Sequence, residues 1–248
     1  MKPVILGATA TPGQNLDALA SNTYPGRGIV IGKSQDGNHI FQIYWIMGRS
    51  EHSRNRLFTR NGETVKTIPF DQSKVDDPSL IIYNAMHRTA RAGTTYDVVT
   101  NGSQTDDIAA ALLGGQTFEA AVSHQVYEPD APNYTPRISG VSTYNRDQAL
   151  LSIVKRNSAT GEPQPMVFTK SLTSGIGWCI HTYEGDGHPL PSFSAAPYEV
   201  PLAGDIEAVS RTYWNALNHE NRISLVVKSV DIRTGDTAYR IINKHADV

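Results

Sequence analysis

The sequence is nearly without cysteine: Cys179 is the single thiol in 248 residues. No disulfide framework and no cysteine-based zinc site can form within the chain. A lone thiol in strand-like sequence, with nothing beside it to lower its pKa, reads as a small buried hydrophobe rather than a nucleophile. Such a chain suits a reducing compartment, and the cytoplasm is the expected location. Long apolar runs are missing too. Nothing approaches the ~18 apolar residues of a membrane-spanning helix, and the opening MKPVILGATATPG is too short and broken to read as a signal peptide. Excess charge of one sign is absent: 22 Lys and Arg against 24 Asp and Glu leave a net charge of −2, which argues against a nucleic-acid binder. The eight histidines fall in no H-x-H or H-E-x-x-H spacing, so no metal site is expected. A dinucleotide fingerprint is also lacking. In GRGIVIG the glycines have the wrong spacing and lead into a strand instead of out of one.

What remains is an ordinary globular composition, 39% hydrophobic and 19% charged, in a chain long enough for a sizeable core. Strand signals dominate: β-branched and aromatic runs bounded by Gly, Pro, Asn or Asp. They predict strands near 27–32, 39–47, 64–70, 79–86, 95–100, 137–144, 150–156, 165–170, 176–183, 223–231 and 237–242. Helices are fewer. TDDIAAALLGG has acidic residues in its first turn and a glycine pair at its end, predicting a helix over 106–113. A second follows in TFEAAVSHQVY with Thr117 as N-cap, and a third in GDIEAVSRTYWNALN behind Asp205. The order is strands, a helix pair, strands, a helix, strands. This is not βαβ alternation, so the expected class is α+β with mostly antiparallel sheets. One domain over 1–248 is expected, with 185–202 as an irregular connector and 203–248 as an appended C-terminal extension.

Charge is distributed unevenly. Residues 21–60 hold Arg27, Lys33, Arg49, Arg54, Arg56 and Arg60 against Asp36 and Glu51, a local excess of four positive charges. Arginine pairs bidentately with phosphate oxygens, so a cluster of arginines on a near-neutral protein suits a small phosphorylated ligand. The stretch GRSEHSRNR concentrates three of them, Arg49, Arg54 and Arg56, with Ser50 among them. VTNGSQTDDIA leads from a strand through Asn101 and Gly102 into a helix start, where Ser103 and exposed amides can meet an anion or a polar ring.

Taken in order, YPGRGIVIGKS (24–34), GRSEHSRNR (48–56), IIYNAM (81–86), NGSQTD (101–106), NYTPRISGV (133–141) and SIVKR (152–156) resemble the archaeal-type IMP cyclohydrolases and their bacterial relatives. The likeness spans about residues 22–183. It implies a four-layered αββα sandwich like that of the N-terminal-nucleophile hydrolases, without their self-processing nucleophile. It implies closure of the purine ring of 5-formamidoimidazole-4-carboxamide ribonucleotide to IMP and water, with no cofactor, no metal, no nucleic acid, no membrane and a homo-oligomeric state. By motif match, Tyr83 and Glu128 would relay protons and Lys33 would stabilise the developing oxyanion. Arg27, Arg49, Ser50, Arg54, Arg56, Asn84, Asn101, Ser103 and Arg137 would bind phosphate, ribose and base. The sequence departs from the family pattern at Gln104, where histidine is usual, and in a longer spacing between GRS and RNR. The alternative is a non-catalytic purine-nucleotide-binding or regulatory protein on the same fold.

Overall fold

The computed structural model describes residues 10–75, 78, 81–143 and 146–245. Its first strands are β1 (Gly28–Lys33), β2 (His39–Met47), β3 (Leu57–Asn61), β4 (Thr64–Ile68), β5 (Asn84–Arg91) and β6 (Thr94–Thr100). β7 (Arg137–Thr143), β8 (Arg146–Arg156), β9 (Pro163–Ser171) and β10 (Ile176–His181) follow. β11 (Tyr198–Pro201), β12 (Arg222–Asp231) and β13 (Thr237–Asn243) complete the set. The helices are α1 (Pro12–Ser21), α2 (Glu51–Arg54), α3 (Gln104–Leu113), α4 (Phe118–Ser123) and α5 (Ile206–Ala216). The class is α+β, with two antiparallel sheets in the orders β11-β10-β1-β2-β12-β13 and β3-β4-β5-β6-β7-β8-β9.

The helices start where side chains can take up their free amides. Thr11 and Gln14 form a capping box on α1, and Thr117 and Asp205 cap α4 and α5. Helices α1 and α5 pack on the first sheet, against β11 and against β12 and β13. Helices α3 and α4 pack on the second, against β5 and β6 and against β8 and β9. The sheets face each other through β1 against β7 and β2 against β6.

β2 shows why the sequence commits to this arrangement. A run of nine residues with eight buried cannot be a half-solvated strand; both of its faces are covered. Ile40, Gln42 and Tyr44 face the second sheet, because the Gln42 amide donates to the Asp97 carbonyl and to Ser142, and the Tyr44 hydroxyl meets that of Tyr83. Trp45 lies on the other face, its ring so close to Gly28 that a Cβ there would sit 1.9 Å from it. Burying one such large side chain is worth about 1.5–3 kcal/mol or more.

Between the sheets runs a polar seam. Lys228, 1% exposed, pairs with Asp97 at 2.5 Å, and Asp97 also takes two hydrogen bonds from Arg88 at 2.8 and 3.0 Å. Burial pushes the Lys228 ammonium toward its neutral form, and Asp97 opposes that.

The stretch 203–248, expected as an appended element, supplies α5, β12 and β13. β12 pairs with β2 along its length, from Arg222 opposite Met47 to Asp231 opposite His39, and so lies inside the sheet. The strand expected over 79–86 begins instead at Asn84 and continues to Arg91; positions 79–80, like 144 of the strand expected over 137–144 and the last three residues of the expected extension, lie outside the described residues.

Candidate functional site

The site assembles at one end of the inter-sheet interface, from loops and strand ends of both sheets. Arg27 stands at the threshold of β1. Its amide donates to Thr182 Oγ1 at 3.1 Å. The preceding Gly26 has φ +75°, and a Cβ there would lie 2.2 Å from the same Thr182 oxygen, so no other residue fits the entry turn. From this position the Arg27 guanidinium reaches Glu128 at 2.5 Å. Arg137, the first residue of β7, donates to the same Glu128 oxygen at 3.0 Å. The Arg137 guanidinium lies directly over Gly102, where an added Cβ would fall 1.7 Å from its Nη1. The glycine of the NGS turn is thus the floor on which that arginine rests.

Tyr83, immediately before β5, is 5% exposed and shares a 2.7 Å hydroxyl–hydroxyl hydrogen bond with Tyr44. Arg56, 6% exposed, completes the group: its charge acts on Arg27, Tyr83, Glu128 and Tyr44. Burial, then the charge of Arg27, weakens the hold of Arg56 on its proton. In Arg27 burial is the largest single effect and works in the same direction, but Glu128, Tyr83, Tyr44 and Tyr183 together outweigh it, and the guanidinium is held firmly charged. Three arginines and a carboxylate therefore share a nearly dry space.

A second tier stands beside this one. Tyr183 stacks on Tyr24 with ring centroids 5.9 Å apart, and its hydroxyl meets that of Thr135, which also bonds Asp130. Burial raises the Asp130 carboxyl above its usual range, while hydrogen bonds from Thr135 pull the other way. Arg49 lies over the Tyr24 ring at 4.7 Å and is tied to Asp186 and to the Gly187 carbonyl. It also borders a cavity of about 390 Å³ whose charged walls are of both signs, Arg54 and Lys74 against Glu51 and Asp71. A larger cavity, about 520 Å³, opens beside Ser34, His39 and Ile206. Its charged walls are Asp36 and Asp205, which repel an anion.

The structure thus brings together Arg27, Arg56, Tyr83, Glu128 and Arg137, with Arg49 alongside. Other predicted residues have different employment. Lys33 sits six residues along extended β1 from Arg27, roughly 20 Å away, and pairs with Asp147 at 2.8 Å. Asn101 is fully buried: its amide donates to the Pro136 carbonyl at 2.9 Å and its oxygen accepts from Ile138 at 2.9 Å and Gln104 at 3.0 Å. It fastens the β6–α3 turn to β7. Asn84 donates to Asp106 at 2.9 Å. Ser50 caps α2, Ser103 is the exposed N-cap of α3, and Arg54 donates to the Gly48 carbonyl at 3.1 Å. Among the described residues, no group of three or more His, Cys, Asp or Glu is placed to hold a metal, and no helix is long and apolar enough to cross a membrane.

Sequence reasoning missed Tyr44, Tyr24, Tyr183, Thr135 and Asp186. A signal existed for Tyr44: period-two alternation in HIFQIYWIM places it on one face with Gln42, and polar groups recurring on a covered face have partners across it.

Fold and site together define an α+β protein with a cluster of buried arginines at one end of the interface between two antiparallel sheets. The chain belongs to the IMP cyclohydrolase-like protein family, whose model matches residues 24–235. It is 35% identical over 135 residues to a protein named IMP cyclohydrolase from Methanococcus maripaludis strain S2, covering 53% of this chain and 63% of that relative. It is 30% identical over 165 residues to the protein of the same name from M. maripaludis strain C7, covering 65% of this chain and 75% of the relative. Against that of Methanopyrus kandleri it is 38% identical over 120 residues, 47% of this chain and 57% of the relative.

Proposed function

We propose that this chain is an IMP cyclohydrolase that closes the purine ring of 5-formamidoimidazole-4-carboxamide ribonucleotide. The observation that carries the reading is the convergence of three buried arginines, Arg27, Arg56 and Arg137, on Glu128 and Tyr83. Arginines gathered in this way pair with phosphate oxygens. A phosphorylated ligand with polar ring substituents has the matching chemistry.

In the reaction the carboxamide nitrogen attacks the formyl carbon of the same molecule. A C–N bond forms as the formyl C=O π bond breaks and its oxygen becomes a hydroxyl; the C–O bond then breaks and the hydroxyl leaves as water with the proton of the formamido nitrogen, which becomes doubly bonded to that carbon. An amide is a poor nucleophile, so most of the acceleration must come from holding the two groups in contact. Arg49 and Arg56 receive the phosphate and base. Tyr83 donates to the formyl oxygen as charge grows there. Glu128, in the grip of Arg27 and Arg137, takes up the proton that leaves the nitrogen. Lys33 and Asn101 have no part in the step: one lies at the far end of β1 and the other is spent on the scaffold.

The same reading extends to a four-layer αββα sandwich of the N-terminal-nucleophile-hydrolase type, with helices outside two facing sheets, and to a homo-oligomer working in the cytoplasm. The test is kinetic. Tyr83→Phe should lower kcat far more than it raises KM, and Arg49→Ala should mainly raise KM, by roughly 10- to 150-fold for a lost charged hydrogen bond of about 1.5–3 kcal/mol. Unchanged kinetics in both variants would end the site assignment.

A further inference from the structure

Tyr44 is a large side chain with no exposure, buried in mid-sheet on β2. Its ring is fixed by Phe58, centroids 5.5 Å apart and planes at 51°. A buried phenol needs a partner for its hydroxyl, and the one the structure provides is Tyr83, at 2.7 Å. Two hydroxyls that share one hydrogen bond divide the roles: one donates its proton, and the other accepts and keeps its own proton free for a different target. Burial decides the division. Tyr44 has no exposure, so if it accepted from Tyr83 its own proton would need a second acceptor inside the core. Arg27 and Arg56, whose charges reach both phenols, are donors only and can accept from neither. With Tyr44 as donor, the proton of the slightly more exposed Tyr83 stays free for another target.

We propose that Tyr44 is the positioning residue of Tyr83: its hydroxyl donates to the Tyr83 oxygen, aims the Tyr83 proton at the reacting oxygen, and steadies the charge left on Tyr83 as that proton moves. This rests on the reading of Tyr83 as a proton donor to the substrate. A donor to the atom on which charge develops acts more strongly in the transition state than before it, so its loss falls on kcat. Arg49, held by Tyr24, Asp186 and the Gly187 carbonyl, takes the phosphate without Tyr44, so KM is left nearly alone.

The experiment is a double-mutant cycle on the full chain, read by turnover of the formamido ribonucleotide. Tyr44→Phe keeps the ring against Phe58 and removes only the oxygen. It should lower kcat about tenfold or more while KM changes by less than about threefold. Because Tyr44 acts only through Tyr83, the Tyr44→Phe/Tyr83→Phe pair should be no slower than Tyr83→Phe alone. A merely structural Tyr44 would instead lower the double variant further, by its own factor. Phe58→Leu, which loosens the Tyr44 ring and leaves both hydroxyls, should produce a smaller fall in the same kcat and serves if Tyr44→Phe does not fold. Wild-type turnover with an unchanged Tyr44→Phe, with multiplicative losses in the pair, or with an unaffected Phe58→Leu overturns the role of Tyr44 and leaves the site reading standing. A wild-type chain that does not turn over removes that reading and this role with it.

Discussion

Gly102→Ala separates a floor from a turn. The backbone at Gly102 is open to any residue, so the substitution costs no conformational strain. What it costs is space: the new methyl would lie 1.7 Å from Arg137 Nη1, 2.7 Å from Arg137 Cζ and 2.7 Å from Gln104 Oε1. All three atoms are ends of flexible side chains, so the fold gives way by moving Arg137, not by unfolding. Glu128 keeps Arg27 as a partner at 2.5 Å when Arg137 swings off, which limits the loss of stability to an ordinary ~1 kcal/mol or so. Binding suffers more. If Arg137 contributes one charged hydrogen bond to the ligand, its displacement costs about 1.5–3 kcal/mol, or roughly 10- to 150-fold in Kd. Calorimetric titration with IMP, beside a thermal melt, reads both quantities. The expected result is a large rise in Kd with a melting point within a few degrees of wild type. Arg137→Ala should bind equally weakly, and adding Gly102→Ala to it should change nothing further. Tight IMP binding by Gly102→Ala would refute the placement of Arg137 as a ligand group.

Glu128→Gln removes the carboxylate that pairs with both Arg27 and Arg137, and breaking a buried ion pair of this kind costs about 3–5 kcal/mol; urea unfolding should show that loss, and added phosphate should restore more stability to the variant than to wild type. His181 carries a pH dependence of its own. Burial pushes its imidazole down to about 4, against a weaker pull upward from the Tyr183 carbonyl at Nδ1. The unfolded chain binds that proton near the ordinary value of about 6.5, so stability should fall as pH drops from about 6.5 to about 4, by up to about 3 kcal/mol, and level off below. His181→Phe, packed against Phe193 and Tyr198, should lose that share of the slope in denaturant titrations at pH 7 and pH 4.5; a wild-type slope in the variant would contradict it.

Much of the fold could be read from the sequence, because long covered strands announce themselves. β2 and β12 are long, largely apolar runs rich in β-branched and aromatic residues, and α5 has its cap and its periodic apolar face in plain view. β3 and β11 escaped because they are short pieces of five and four residues whose burial comes from tertiary partners: the β3 backbone at Phe58 is held by the Asn243 side chain, and β11 exists through its pairing with β10. α1 escaped because its signals, Thr11 before a proline and Gln14 three residues on, lie in a stretch of weak periodicity. The site was legible in part. The arginines and Tyr83 stand in motifs dense with unusual chemistry, whereas Tyr183, Thr135 and Asp186 are single polar residues in loops; the pairing of β10 with β1 brings Tyr183 and Asp186 to the arginines, and Thr135 arrives from the second sheet. Lys33 shows the reverse failure. It shares the inner face of β1 with Arg27, but a strand extends about 3.3 Å per residue, so a motif of a few residues reaches from one end of the sheet interface to the other.

The central claim is that the cationic group around Tyr83 folds a phosphorylated formamidoimidazole onto itself and joins its two substituents. Its most direct test is to incubate the purified full chain with 5-formamidoimidazole-4-carboxamide ribonucleotide, without added metal, and to follow IMP by ultraviolet absorbance and chromatography. The account predicts IMP and water formed well above the uncatalysed rate, with most of that rate lost in Tyr83→Phe. Tight binding of IMP by a chain that leaves the precursor unchanged would contradict it and make the protein a nucleotide-binding relative of the enzymes it resembles.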